Sequence, residues 1–219
     1  MDYNVNFAVI WRNFDLLLHG LGLGLLLAAV ALLIGCVIGM AGAFMSTARR
    51  RWVRAAAAGS VTVVRNLPLL VIILFVFFAL PRAGVRLDKY ETFIASLAVY
   101  AGAYLTEVFR SGLVAIPKGV VEAGMAIGLT RPQVNAYVVF PLMLRNALPA
   151  LGSNFISLFK DTSLAAAIAV PELTFQARKI NVETFRVIEV WLTASVLYIA
   201  TCYLIALALR RIEARFKSM

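Results

Sequence analysis

Histidine and cysteine are nearly missing from this chain, which has one histidine, His19, and two cysteines, Cys36 and Cys202, in 219 residues. Both cysteines lie inside apolar runs, so they read as small hydrophobes with neither a disulfide framework nor metal-ligand spacing. His19 reads as a polar residue near a helix end. A Cys–His nucleophile, a metal centre and a cluster of catalytic carboxylates all lack material, so no catalytic residue is expected. Also absent is a G-x-x-x-x-G-K-[ST] phosphate loop, so the chain cannot bind and hydrolyse ATP in the P-loop manner. Charge is scarce too, at 15% of residues against about 25% in soluble domains.

What remains is oil. Hydrophobic residues make up 62% of the chain, against roughly 45–50% in soluble proteins. One soluble core of this size cannot hide that surplus, so lipid must be the solvent for much of the surface. The class is an all-α integral membrane protein. A helix needs about 20 apolar residues to cross the hydrocarbon layer. Five stretches qualify within one transmembrane domain, at 16–47, 55–80, 92–114, 148–170 and 187–209. The first contains Gly35 and Gly39 in a GxxxG pattern that permits close helix contact. It is too long for a signal peptide and has no small-residue cleavage pattern. Pro68 bends or begins the main apolar run of the second. The fourth is drawn from Pro149, a residue favoured in a first helical turn, which gives a length of roughly 33 Å.

Five spans put the chain ends on opposite sides. One side collects thirteen Lys and Arg against two acids, and the other has seven against seven. The positive-inside rule makes the first side cytoplasmic, with the N-terminus outside and the C-terminus inside. The net charge of +10 is thus a topology signal, and no nucleic-acid partner is expected. Arg65 is expected to snorkel to the cytoplasmic surface.

Residues 115–146 then form the longest cytoplasmic loop. Glu122 is expected in the first turn of a short helix, where an acid favours the positive end of the dipole. Gly128 can end that helix in a left-handed conformation, and Thr130-Arg131-Pro132 can cap and restart a second. An apolar patch presented to water marks either a partner's docking site or a structural re-entry loop.

The loop reads Glu122-Ala123-Gly124, three residues, Gly128, nine residues, Val138, Val139, Phe140-Pro141. It resembles the EAA loop of permease subunits of ABC importers, with Gly124 for Ala, Val138 for Ile and Phe140 for Leu. Residues 64–71 (VRNLPLLV), 107–112 (EVFRSG), 116–119 (IPKG) and 159–164 (FKDTSL) are similar to signatures of the polar amino acid branch. So are residues 171–174 (PELT), apart from Pro171. The resemblance covers roughly residues 14–212. It implies the type I importer (MetI-like) permease fold in the bacterial inner membrane. It also implies an identical or sister permease, a cytoplasmic ATPase dimer holding ATP and magnesium, and an extracytoplasmic solute-binding protein. Glu122, Ala123, Gly124, Gly128 and Pro141 would then couple the chain to the ATPase.

Ionisable residues inside a span mark a pathway. The fourth span carries Ser153, Asn154, Ser157, Lys160, Asp161, Thr162 and Ser163. An amino acid is a zwitterion, and Lys160 with Asp161 offers both counter-charges; the alternative role is a neutralised pair at a dimer interface. Glu107 and Arg110, three apart on one face, form a structural pair or a gate. Tyr100 and Tyr104 either line the cavity or pack. An importer of the same fold for an opine or methylated amine is an alternative. An ion-coupled secondary transporter is a further one, disfavoured by the lack of internal repeats.

Overall fold

The computed structural model describes residues 4–217. Every regular element among them is helical: α1 (Ala8–Arg12), α2 (Phe14–Ser46), α3 (Arg51–Asn66), α4 (Leu69–Phe78), α5 (Lys89–Val114), α6 (Lys118–Ala126), α7 (Arg131–Val134), α8 (Phe140–Asp161), α9 (Leu173–Thr184) and α10 (Val187–Lys217). Four helices are long and apolar enough to cross a membrane, and a fifth crossing exists if the bent pair α3–α4 is one span.

Glycine holds the centre together. On α2, Gly35, Gly39 and Gly42 face α5 so closely that a Cβ on Gly39 would lie 2.6 Å from the Leu105 Cβ, and one on Gly35 2.8 Å from the Ala101 Cβ. Small residues let backbones approach in this way where lipid supplies no hydrophobic drive. Gly35 meets Ala98 and Ala101 while Gly42 meets Thr106, so α2 and α5 run parallel. The opposite order, Gly112 of α5 against Met143 and Ala147, makes α8 antiparallel to both. The α2–α3 turn and the α6–α7 loop therefore share one face of the bundle.

Span two is broken. Pro68 has no N–H to donate and pushes the preceding residue out of the helical region; Leu67 is extended at φ −92°, ψ 135°. The two halves diverge by 98°. α5 begins on a capping box, with Asp88 accepting from the Glu91 N–H at 2.7 Å and Glu91 accepting from the Asp88 N–H at 3.0 Å.

The fourth crossing departs from the expected 148–170. α8 is preceded without interruption by a single π turn, Asn135–Val139, and by α7. Pro149 lies in its interior rather than in its first turn. The reason lies upstream: Met143 and Ala147 pack on Gly112, and Asn146 Nδ2 donates to the Gly112 carbonyl at 3.2 Å. That packing holds the residues before Pro149 helical despite the lost backbone bond. After Asp161 the chain tightens into a 3₁₀ segment, Thr162–Ile168. The loop expected at 115–146 shortens accordingly to 115–139.

α9, which follows, packs on the start of α2, at the end of the bundle opposite the α2–α3 turn. Its N-cap, Glu172, is fully buried and accepts from the Thr174 and Phe175 N–H groups at 2.8 Å each and from the Tyr198 hydroxyl at 3.0 Å. Burial, outweighing these donors, pushes the Glu172 carboxyl up to about 7.

Candidate functional site

Two sites emerge, a polar cavity within the bundle and a loop on the face that carries the α2–α3 turn. The cavity has a volume of about 380 Å³ and lies between α5 and α8. Its walls carry Tyr100 and Tyr104 from α5 and Asn154, Ser157, Lys160 and Asp161 from α8. Tyr104 stands fifteen residues from Lys89, roughly 22 Å at ~1.5 Å per residue. The two tyrosine rings lie 4.8 Å apart, and the Tyr100 hydroxyl donates to that of Tyr104 at 3.3 Å. Asn154 Nδ2 donates to its own helix at the Ala150 carbonyl, 2.8 Å away, which leaves its Oδ1 available as an acceptor.

Arg65 completes the cluster. Its guanidinium carbon stands 5.0 Å from the Tyr104 ring centroid, within cation–π range. The expected snorkelling of Arg65 to the surface is thus corrected: the break at 66–68 ends α3 at cavity depth and leaves the side chain beside α5.

Four of the seven polar residues predicted on the fourth span line this cavity. Thr162 does not. It is fully buried, donates to the Phe159 carbonyl at 2.7 Å and packs on Gly24 of α2. The change from α to 3₁₀ winding after Asp161 turns it toward α2, a correction to its expected place beside substrate. Ser153 donates to the Pro149 carbonyl at 3.3 Å, and both it and Ser163 lie off the cavity wall. Glu107 and Arg110 do pair: Glu107 Oε2 accepts from Arg110 Nη2 at 2.6 Å and from Nε at 3.0 Å.

The loop has the helix–turn–helix form read from its sequence, with one shift. α6 starts at Lys118 after Pro117, so Glu122 is the fifth helical residue and not in the first turn. The helix starts early because Pro117 is its N-cap. Gly128 has φ +89°, the left-handed value that favours glycine. Gln133 Oε1 then accepts from the Thr130 N–H and hydroxyl at 2.8 Å each. Gly124 is buried against Val134, whose Cγ2 would lie 3.3 Å from an added Cβ. That contact fixes α6 on α7, and Ala123 and Pro141 lie exposed beside it. A groove of about 260 Å³ runs past Leu113, Ile116, Glu122, Met125 and Val139, and Ile127 is 79% exposed.

Residues 32–218 match the family of binding-protein-dependent transport system inner membrane components. The chain belongs to this family. The permease is 36% identical to the glutamine transport system permease protein GlnP of Escherichia coli K12 over 214 residues, 97% of this chain and 98% of the relative. It is 44% identical to the probable glutamine ABC transporter permease protein GlnP of Bacillus subtilis 168, over 71% of this chain and 72% of that one. An octopine transport system permease protein of Rhizobium radiobacter, OccM, is 32% identical over 91% of this chain and 85% of its own. Among solved structures, that of an amino acid ABC transporter with histidines has 29% identity and a TM-score of 0.89, covering 97% of this permease and all of the other chain. The MetNI methionine transporter, at 23% identity and a TM-score of 0.77, shares the fold. The permease thus has the type I ABC importer fold that its sequence resembles.

The sequence left Tyr100 and Tyr104 between cavity and core and missed Arg65. The only available signal for the latter was a cation two residues before an in-span proline's extended neighbour.

Proposed function

We propose that this permease moves polar L-amino acids through a pathway that contains the Tyr100–Asp161 cavity. The observation that carries this reading is a cavity whose walls bring together Asp161, Lys160 and two phenol rings, with Arg65 stacked on one of the rings. Asp161 takes the substrate's ammonium, with the rings of Tyr100 and Tyr104 as a neutral second contact. Lys160 or Arg65 takes its carboxylate, and Asn154 and Ser157 offer an acceptor and a hydroxyl to a polar side chain. Glutamine, the substrate named for two relatives, fits that set.

Energy comes from a cytoplasmic ATPase dimer that binds MgATP and seats α6 through Glu122, Ala123, Met125 and Ile127. An extracytoplasmic binding protein delivers substrate to the opposite face, and a second permease, identical or sister, closes the pathway. The loop face is cytoplasmic and the N-terminus external, in the inner membrane of a bacterium. Glu107 and Arg110 form a closing pair below the cavity. A second reading follows from the octopine relative. An opine carries an additional carboxylate, and Arg65 on the Tyr104 ring stands as a second cation beside the Lys160 of the cavity wall.

The test is substrate-stimulated ATPase activity of the reconstituted complex, with glutamine and octopine compared. Removing one partner of a fully buried ion pair costs about 3–5 kcal/mol. Asp161 is only half-buried, so Asp161→Asn should raise half-saturating substrate on the order of thirtyfold while assembly survives. A wild-type response, or a complex that falls apart, would make Asp161 structural.

A further inference from the structure

A second cavity of about 650 Å³ opens between α2, α3 and α5. Its walls are apolar, including Val37, Ile38 and Met45 of α2, Val61 and Val64 of α3, and Val99 of α5. The hydroxyls within it are already satisfied: Ser60 donates to the Ala57 carbonyl at 2.9 Å and Thr106 to that of Gly102 at 2.8 Å. Nothing in the groove asks for a polar occupant.

Its end at Met45 and Ala56 abuts the α2–α3 turn, where Arg49, Arg50, Arg51 and Arg54 are all exposed. Arg54 Nη1 donates to the Ala48 carbonyl at 3.3 Å, folding its guanidinium back over the turn. No acid occurs between Asp15 and Asp88, and none of the ion pairs among the described residues involves these four arginines. Trp52, 67% exposed, stands among them, and tryptophan favours the headgroup level of a bilayer.

We propose that this groove binds one anionic phospholipid, with an acyl chain along the apolar walls and the headgroup phosphate on the arginines of the α2–α3 turn. Basic clusters beside a span, and basic pockets between spans, attract such headgroups. Each half of the site excludes a simpler occupant. A free anion would leave the groove exposed, and a neutral lipid would leave four cations unpaired. A second copy of the chain packed about a two-fold axis here would bring its own arginines against these. The site lies apart from the substrate cavity and holds whatever the permease carries.

The full-length chain, purified in detergent and stripped of lipid, is titrated with dioleoylphosphatidylglycerol or dioleoylphosphatidylcholine, and bound lipid is counted by native mass spectrometry. One phosphatidylglycerol per chain should be retained, with the choline lipid held at least about tenfold more weakly. Arg51→Gln with Arg54→Gln should weaken the anionic lipid about thirtyfold. Ser60→Phe, or Ala56→Leu if that chain does not elute as a folded monodisperse species, should fill the groove and lower retention with every arginine in place. Dihexanoylphosphatidylglycerol, which has the headgroup without the long chains, should be held far less than the dioleoyl form by the unaltered protein. Equal retention of the two headgroups, or of the two chain lengths, would overturn the proposal. So would undiminished retention in the groove-filled chain, or a lipid-free dimer that dissociates when the groove is filled.

Discussion

Arg65 is a single charge whose position decides how the cavity can work. Lying over Tyr104, it would serve the proposed pathway as a second cation for a substrate carboxylate, and its planar guanidinium stacks where an ammonium would not. Arg65→Ala should therefore lower the apparent affinity for substrate, and Arg65→Lys should restore only part of it. Substrate-stimulated ATPase activity separates the two, and equal behaviour of both variants would remove the stacking argument. Glu172 acts at the same scale through a proton. Its folded value of about 7 lies above the 4.5 of a free glutamate. The folded chain holds that proton more tightly than the unfolded one, so the stabilisation is complete below about pH 4.5 and is lost as pH rises through about 7. Melting temperatures of the purified chain should fall over that window, and Glu172→Gln, neutral throughout, should flatten the fall. The two residues differed in legibility. Glu172 sits in a stretch, 171–174, that its motif singles out. Arg65 depends on the direction of a 98° bend, which Pro68 announces but does not aim.

At the scale of the element, the loop at 115–139 was the most legible part of the chain. Gly128, Thr130 and Pro132 each impose a local geometry that neighbouring packing does not override. Gly128 has open space where a Cβ would go but a φ of +89°, so a β-branched side chain there is strained by backbone alone. Gly128→Val should leave the chain inserted at normal abundance while ATP-driven uptake falls below a tenth of the wild-type rate. Normal uptake would mean that the α6–α7 turn is not the coupling element. Helix α8 was the least legible. Proline propensity argues for a start at Pro149, whereas packing of Met143, Ala147 and Asn146 on Gly112 holds the helix from residue 140. Sequence periodicity carries no record of a neighbour 34 residues away. Thr162 failed for a related reason, since its place beside Asp161 in sequence was undone by a tighter helical winding.

Among the described residues, α2 and α5 run one way and α8 runs back, which follows from the contacts at the glycines. A reporter fused after Arg51 should then read cytoplasmic and one at Lys89 external. The reverse pattern would mean that the basic excess on the loop face does not set orientation. The seam between α2 and α5 has a mechanical consequence. With no side chain between them at Gly35 and Gly39, the two helices form one rod. α6 hangs from the end of that rod by three residues, 115–117. The link leaves little slack between α6 and that rod, while the contact of Gly124 with Val134 ties α6 to α7 as well, and so to α8. With α6 as the coupling helix proposed above, its displacement would reach Tyr100 and Tyr104 through α5 and Asp161 through α7 and α8, so that both walls of the cavity would be driven from one handle.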